Sequence, residues 1–263
     1  MSLTNKTIAN SYKDLLQVDN SNSGIDTTTR QIKDGEGTQS CAYISDDSLL
    51  IKPVNDDSAT SLLVRTNSGA NVLEVDTTNQ LVVASGNNVN TQYATFSIGS
   101  TESTAFSANT HHPLVYSGAN YASQASIPDL FGTGTDPATS YTTADSSKDR
   151  ASDLVPCLWY VNDDISIDAI KSIEGADAAT GDTTRMHLFS YDFTSGATSC
   201  LTNGTLLGHN SDVTNAGSEQ PYLSTWTVDS AAVSAGKVIL AFFRSDSVNS
   251  DYSIQVTVKY HLT

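Results

Sequence analysis

Residues 61–84 of the chain read SLLVRTNSGANVLEVDTTNQLVVA. Apolar segments rich in Leu and Val are separated here by Asn67-Ser68-Gly69 and by a polar run at 76–79. Branched side chains favour strands, whereas Asn, Asp and Gly favour tight turns. The pattern predicts short strands at 61–65, 72–75 and 81–84. Such strands bury too little apolar area to be stable in one thin chain, so we expect them to pack against identical chains.

The same punctuation extends towards the N-terminal side of this stretch. Two more short apolar segments, at 42–44 and 49–52, follow the turn tripeptide Gly35-Glu36-Gly37. We interpret residues 36–103 as a short β-repeat shaft of the β-prism or solenoid kind. Identical chains wrapped around one axis would cover its apolar side chains and remove exposed strand edges. The side chains expected in the shaft core are Leu50, Leu62, Val64, Leu73, Val75 and Val82.

Residues 1–35 differ from the rest of the chain in charge. They carry four basic and four acidic side chains and are neutral, whereas the remainder is acidic. A helix here would have one apolar stripe, formed by Ile8, Tyr12, Leu15 and Leu16. The alternatives are an arm that becomes ordered against a partner and an extended lead into a strand at 15–18. Because a neutral segment approaches an acidic surface without long-range repulsion, we predict that residues 1–35 form an attachment arm.

Residues 104–263 contain longer apolar segments, which predict a domain with its own core. Strand candidates are 155–161, 165–172, 185–194, 222–228, 237–245 and 252–261. Several alternate with a period of two, which is typical of half-buried antiparallel strands. Residues 134–148 have few large apolar side chains and predict a surface loop. The predicted fold class is therefore all-β: an intertwined trimeric shaft followed by a C-terminal β-sandwich head of jelly-roll type.

Charge and hydropathy exclude several function classes. The 263 residues include 29 acidic and 13 basic side chains, for a formal net charge of −16. Such a surface repels phosphate backbones, so we expect no nucleic-acid binding. The first 16 residues lack the apolar core of a signal peptide. The longest strongly apolar run, at 238–243, is too short to span a bilayer, so we expect no membrane insertion.

Motifs of the common enzyme classes are missing from the sequence. Gly132-Thr133-Gly134 lacks a third glycine at the nucleotide-binding spacing, and we interpret it as a turn. The cysteines, Cys41, Cys157 and Cys200, are far apart and form no C-x-x-C pair, so they predict buried free thiols. We therefore predict a protein without enzymatic activity, catalytic residues or a cofactor.

Two groups of polar residues have alternative interpretations. His111-His112-Pro113 brings two histidines together, but adjacent residues on a strand point to opposite faces and rarely bind one ion. Asp163-Asp164 with Asp168, and Asp56-Asp57, would offer calcium ligands or a carboxylate pair for glycoside hydrolysis. Acidic residues beside strands are more often solvated turn formers. We therefore favour solvated turn residues for both groups of aspartates, and we predict no metal site there or at the histidine pair.

The aromatic residues also allow two roles. Trp159-Tyr160 and Trp226 would be able to stack on sugar rings. However, Trp159 and Tyr160 lie in an apolar strand candidate, and large aromatic side chains dominate β-sandwich cores. The favoured role of these residues is therefore packing in the core of the head.

Three segments resemble bacteriophage structural proteins. Residues 12–53, YKDLLQVDNSNSGIDTTTRQIKDGEGTQSCAYISDDSLLIKP, are similar to the attachment and shaft regions of phage fibre and spike proteins. Residues 62–83 resemble a fibre shaft, in which a strand, an N-x-G turn and a V-L-x-V-D-T strand precede a further strand. GKVILAFFRSDS at 236–247 and YSIQVTVKYHLT at 252–263 look like the C-terminal heads of fibres and head-decoration proteins of marine tailed phages.

The resemblance implies a virion-surface protein, made in the host cytoplasm and assembled as a homotrimer. Its arm would bind other virion proteins of the capsid or tail, and its head would contact a host surface glycan or protein. A host-attachment fibre or spike and a capsid decoration protein both fit, because the shaft of 36–103 is short for a tail fibre. The number of copies of the protein per particle would distinguish a fibre or spike from a decoration protein. Two alternatives come from other classes of protein. The missing signal peptide disfavours a secreted adhesin, and the missing catalytic motif disfavours a glycan depolymerase.

Overall fold

The computed structural model describes residues 15–21, 23–100, 106–117, 131–144, 149–177, 180–217, 219–247 and 251–263, without the side chains of residues 100, 177 and 251. The chain is all-β, as predicted, with several antiparallel sheets. It divides into two compact units, Met1–Val89 and Asn90–Thr263, and each is described by itself.

The first unit contains two four-stranded antiparallel sheets, in each of which neighbouring strands follow one another in the chain. The strands of the first sheet are β1 (Gln17–Val18), β2 (Arg30–Lys33), β3 (Gln39–Ile44) and β4 (Leu49–Ile51). Those of the second are β5 (Leu62–Arg65), β6 (Asn71–Asp76), β7 (Leu81–Ala84) and β8 (Asn87–Asn88). Gly69, at φ 91°, closes the turn between β5 and β6, a conformation that glycine adopts without steric cost.

The described part of the first unit has no buried apolar side chain. The side chains that are buried there, Gln31 and Ser45, are polar. Apolar residues remain open to solvent on both sheets; Leu49, for example, is 67% exposed. The reason is geometric, because sheets of such short strands cannot enclose a core within one chain.

The described residues of the second unit form thirteen strands in two sheets. They are β9 (Thr91–Ser100), β10 (His112–Pro113), β11 (Val115–Tyr116), β12 (Trp159–Tyr160), β13 (Ile165–Asp177), β14 (Thr183–Phe193), β15 (Leu201–His209), β16 (Val213–Thr214), β17 (Gln220–Thr225), β18 (Thr227–Val228), β19 (Ala232–Val233), β20 (Lys237–Ser245) and β21 (Asp251–Leu262). One sheet has the order β11-β9-β21-β13-β17, with β19 beside β13. The other has the order β10-β20-β14-β15-β18, with β12 beside β20 and β16 beside β14.

Both sheets of the second unit contribute to one hydrophobic core. Ile254, Val256 and Val258 face it from β21, at the alternating positions that the sequence predicts. Phe243 and Met186 enter it from the other sheet. Burial of each such side chain contributes about 1.5–3 kcal/mol, so the second unit, unlike the first, has a core of its own.

The seven-stranded sheet carries a second hydrophobic core on the face that points away from the first core. Side chains of β14, β15 and β20 contribute to it. Residues 131–144 and a short helical segment, α1 (Ala151–Leu154) followed by a 3-10 turn (Val155–Cys157), contribute to it. Phe131 and Tyr141 stack with ring centroids 4.8 Å apart, and Phe131 also packs against Phe242 of β20. The loop predicted at 134–148 is therefore tied to the core through Tyr141, while residues 145–148 lie outside the described residues.

Some predicted boundaries differ from the structure. Residues 155–157, predicted as the start of a strand, form the 3-10 turn because Pro156 cannot donate to a strand ladder. The strand β9, assigned from the sequence to the shaft of 36–103, pairs with β21 in the second unit. The strands β1 and β2, which fall in the arm assigned to residues 1–35, share a sheet with β3 and β4. Of the predicted apolar stripe, Ile8 and Tyr12 lie outside the described residues.

Candidate functional site

One face of the second sheet of the first unit is apolar across β5, β6 and β7, with Asn87 of β8 beside Ala84 at its edge. The register pairs Leu62 with Val75 and Val64 with Leu73, and continues from these to Val82 and Ala84 on β7. This surface, called the shaft face, consists of Leu62, Val64, Leu73, Val75, Val82 and Ala84. Val64 is 45% exposed, so the face is open to solvent in a single chain. It brings together all but Leu50 of the side chains predicted for the shaft core.

The polar side chains of the same sheet lie elsewhere. Glu74, opposite Leu63 and Val83, faces away from the shaft face. The Asn71 amide donates to Glu74 Oε2 at 2.9 Å, and Arg65 Nε donates to Asn71 Oδ1 at 2.9 Å. These polar groups satisfy one another beside Leu63 and Val83, so the shaft face is the side of β5, β6 and β7 that carries no charged group.

A second open surface is a groove on the outer face of the six-stranded sheet of the second unit. Its volume is about 370 Å³, within the range of ligand-sized clefts. This sheet groove is lined by Tyr93, Ala169, Lys171, Ser172, Ile173, Leu223, Gln255, Thr257 and Lys259. Leu223 is 69% exposed, Tyr93 65% and Ile173 52%. Large apolar side chains that project this far from a sheet are unusual unless they meet a partner.

The register of four strands builds the sheet groove. Ile173 on β13 lies opposite Leu223 on β17 and Gln255 on β21. Tyr93 on β9 lies opposite Lys259 on β21. Since successive strand residues alternate between faces, the residues between these positions point inward.

The charge of the sheet groove is opposite to that of its unit. Lys171 and Lys259 line it, and none of its lining residues is a carboxylate. Residues 90–263 as a whole hold 18 acidic and seven basic side chains, a net charge of −11. The sheet groove is therefore an apolar and basic surface on an acidic unit, suited to an acidic partner.

Beneath the sheet groove, β13 directs two polar side chains into the core. Ser172 Oγ accepts a hydrogen bond of 2.8 Å from Trp226 Nε1. Glu174 is 1% exposed, and its carboxyl oxygens lie 2.9 and 3.0 Å from the hydroxyl of Thr184. Burial raises the pKa of Glu174 to about 7, although the Thr184 hydrogen bond acts in the opposite direction. Nothing in the sequence around Glu174 distinguishes this carboxyl from the other acidic side chains.

The two adjacent histidines point to different surroundings, as their strand positions predict. His111 Nε2 donates to the Gly134 carbonyl at 3.2 Å, and its ring lies 5.1 Å from that of His187. The ring of His112 packs on Phe106 instead, at 4.9 Å. Burial lowers the pKa of His111 to about 4 and that of His187 to about 3, so both are neutral at pH 7. The 3.2 Å contact of His187 Nε2 with Asp136 Oδ1 is therefore not an ion pair at pH 7.

The acidic candidates occupy turns and, in the case of Asp168, a β-bulge within β13. Asp164 Oδ1 accepts from the backbone N–H of Ala235 at 2.8 Å, and Asp168 Oδ1 lies 2.9 Å from His261 Nδ1. Asp56 and Asp57 are exposed on the first unit. Across the described ranges, no group of three or more His, Cys, Asp or Glu side chains is arranged to hold a metal ion.

Both tryptophans belong to the core of the second unit. Trp159 is 5% exposed and stacks on Tyr116 at 5.8 Å, and Trp226 is equally buried. Tyr160 is 51% exposed beside a cleft of about 120 Å³. That volume is below the usual range of ligand pockets, which begins at about 300 Å³.

The cysteines differ in exposure. Cys157 and Cys200 are buried, as predicted, whereas Cys41 is exposed because the first unit has no core to cover it. Burial raises the pKa of the Cys157 thiol to about 12, and its Sγ donates to the Asp153 carbonyl at 3.7 Å. A thiol held protonated in this way is a poor nucleophile.

Comparison with known proteins adds no family assignment: neither a protein-family model nor a curated protein sequence matches the chain. Within the described residues, no helix has the length and apolar character needed to cross a membrane.

Proposed function

We propose that this chain is a non-enzymatic structural protein on the surface of a bacteriophage particle, assembled as a homotrimeric fibre or spike that contributes to host attachment. The observation that carries the proposal is the open shaft face in a unit whose described residues include no buried apolar side chain. A protein that functions as a monomer has little reason to expose such a face. An intertwined trimer gives each shaft face a partner of the same chemistry.

The expected gain on assembly is substantial. Full burial of a Val or Leu side chain contributes about 1.5–3 kcal/mol. Leu62, Val64 and Val82 are 39%, 45% and 37% exposed, so covering each contributes about 0.5–1 kcal/mol. The gain is repeated in every chain of the trimer. Interchain contact would also cover strand edges that otherwise invite aggregation.

The second unit supports the role of a fibre head. Its two sheets share one core, and their strand orders mix early and late strands of the chain, so we propose a jelly-roll type of sandwich. The neutral charge of residues 1–35 supports attachment of that end to another virion protein. A capsid decoration protein remains the alternative role of the same trimer. Hundreds of copies per particle would favour decoration, and far fewer would favour a fibre or spike.

The oligomer is tested with a pair of matched variants. Val64→Asp places an unpaired charge on the shaft face, which costs several kcal/mol in each chain of a trimer. Val72→Asp changes a side chain of similar exposure, 42% against 45%, on the opposite face of the sheet. Multi-angle light scattering should give about three times 27.9 kDa for the native chain and Val72→Asp, and a smaller mass for Val64→Asp. A native chain that stays monomeric at micromolar concentration would contradict the proposal.

The location on the particle is tested separately. Mass spectrometry of purified particles from a phage that encodes this chain should detect it, and immunogold labelling should place it on the outside. Its absence from the particles would contradict a virion role even if the chain is a trimer.

A further inference from the structure

The sheet groove differs from the shaft face, because it lies on a unit that already has a core. The second unit buries its own apolar residues on both faces of the seven-stranded sheet, yet it leaves Tyr93, Ile173 and Leu223 more than half exposed on the six-stranded sheet. These side chains come from three strands and line one concave surface. They form one contiguous apolar surface on a folded unit, which is the kind of surface that marks contact with a partner.

Charge points to the kind of partner. Lys171 and Lys259 line the sheet groove, which has no carboxylate in its lining, while the whole unit has a net charge of −11. An acidic protein surface fits these lysines, and a second copy of this chain supplies one in any assembly of identical chains.

Symmetry restricts how a second copy binds. In a two-fold, face-to-face contact the sheet groove would meet itself, so Lys171 and Lys259 of one chain would approach the same lysines of its partner. Like charges in a desolvated contact are unfavourable. In a head-to-tail contact the sheet groove meets a different, acidic surface of the next chain, and such contacts close into rings such as a trimer.

Size restricts the strength of this contact. Four adjacent strands about 4.8 Å apart, over a length of about 20 Å, form a face of roughly 400 Å². A stable interface buries about 800 Å² on each partner, so this face alone is small. It would act together with a second contact between the same chains, such as the proposed contact at the shaft face.

We propose that, in the homotrimer, the sheet groove of each chain packs head-to-tail against an acidic surface of the next chain. Tyr93, Ile173 and Leu223 provide the apolar contact, and Lys171 and Lys259 pair with carboxylates of the neighbour. The inference rests on the proposed trimer and adds the second unit to its interface.

The first experiment measures protection of lysines in the native full-length chain. An amine-acylating reagent followed by peptide mass spectrometry gives the modification rate of each lysine. Lys171 and Lys259 should react at least about tenfold more slowly in the native assembly than in Val64→Asp chains that have dissociated. Lys237, on the other sheet, should react at similar rates in both. Equal rates for Lys171 and Lys259 in the two samples would overturn the inference.

The second experiment changes the contact itself. Leu223→Glu removes apolar contact and adds a charge, and Tyr160→Glu is the control, because Tyr160 is also more than half exposed but lies on the other sheet. Light scattering during dilution should show Leu223→Glu dissociating at a chain concentration at least about tenfold higher than the control. The double variant Lys171→Glu, Lys259→Glu should also dissociate at a higher chain concentration than the control, and the difference should be larger at low salt. Equal dissociation of all variants would overturn the inference.

The outcomes separate this inference from the proposed function. A native trimer with reactive lysines and an unaffected Leu223→Glu would refute the contact and leave the trimer standing. A monomeric native chain would refute both. Lysines that react in the isolated trimer but are protected in whole particles would identify another virion protein as the occupant and overturn the self-contact.

Discussion

Replacing Glu174 by Gln should stabilise the second unit at neutral and alkaline pH and have little effect in acid. The carboxyl is 1% exposed and faces the core from β13. The Thr184 hydroxyl lies 2.9 and 3.0 Å from its two oxygens and 3.4 Å from the Val213 carbonyl. A protonated Glu174 can therefore donate to Thr184, which in turn donates to Val213. Gln has the shape of that protonated acid and carries no titrating proton.

The magnitude follows from the two pKa values. Burial raises the pKa of Glu174 to about 7 in the folded chain, from an ordinary value of 4.5. Since the folded state binds this proton more tightly, the contribution to stability is fully present below pH 4.5 and is lost as the pH rises through about 7. The difference corresponds to about 3 kcal/mol. Glu174→Gln should not show this loss.

The assay is urea unfolding of both proteins at pH 4 and pH 8, at one chain concentration so that assembly contributes equally. The free energies of unfolding should be similar at pH 4, and the Gln variant should be more stable by about 3 kcal/mol at pH 8. Titration of His111 and His187 is common to both proteins and cancels in the difference. A difference that does not change with pH would refute the reasoning, because it would mean that the pKa of Glu174 is the same in the folded and the unfolded chain.

Three further outcomes are expected. Val75→Asp, on the shaft face, should prevent assembly as Val64→Asp does, as measured by light scattering; an unchanged trimer would mean that this face is not the contact. Gly208→Ala should lower the free energy of unfolding in urea by about 1–3 kcal/mol, because the new methyl would lie 2.5 Å from a side-chain carbon and 2.8 Å from a backbone oxygen. The control is Gly175→Ala, which should change this free energy little because a methyl there would meet nothing within 4 Å. Deleting residues 1–20 should leave a trimer that no longer enters particles lacking the native protein; normal incorporation would place attachment elsewhere.

The short strands of the first unit were predictable because their turns are local. The strand at 81–84 was predicted with its observed ends, and the neighbouring strands are within a few residues of theirs. Asn, Asp and Gly at the turns act within four residues, so a single sequence shows them. The shared face of Leu62, Val64 and Val75 follows from the same alternation once the pairing is known.

Two long strands of the second unit, β9 and β15, were not predicted, nor were the two-residue strands β10, β11, β16 and β19. In β9 the inward residues Ala94, Phe96 and Ile98 alternate, but Thr95 and Ser97 between them resemble loop composition. In β15 the alternation of apolar and polar residues is weaker, because Gly204 and Gly208 interrupt it. A methyl at Gly208 would collide with Ile170 and the backbone of Thr227. That glycine reflects close approach of other strands, which local patterns do not report.

The sheet groove could not be found from the sequence. Tyr93 and Lys259 become neighbours only through the pairing of β9 with β21, and Ile173 meets Leu223 only through that of β13 with β17. Each residue is unremarkable in its own segment. Glu174 was missed for the same reason: its burial depends on the second sheet, and the sequence alone presents it as one acid among 29.

The position of β21 has a consequence for how a newly made chain folds. β21 lies between β9 and β13, so β9 has no ladder partner on that side until residues 251–262 have been synthesised. Within each sheet of the first unit neighbouring strands follow one another in the chain, and these sheets can form while translation continues. Short-range sheets with open apolar faces would then exist on the ribosome before the second unit is complete. Neighbouring ribosomes on one messenger would bring such faces together, so contact between shafts can precede folding of the heads.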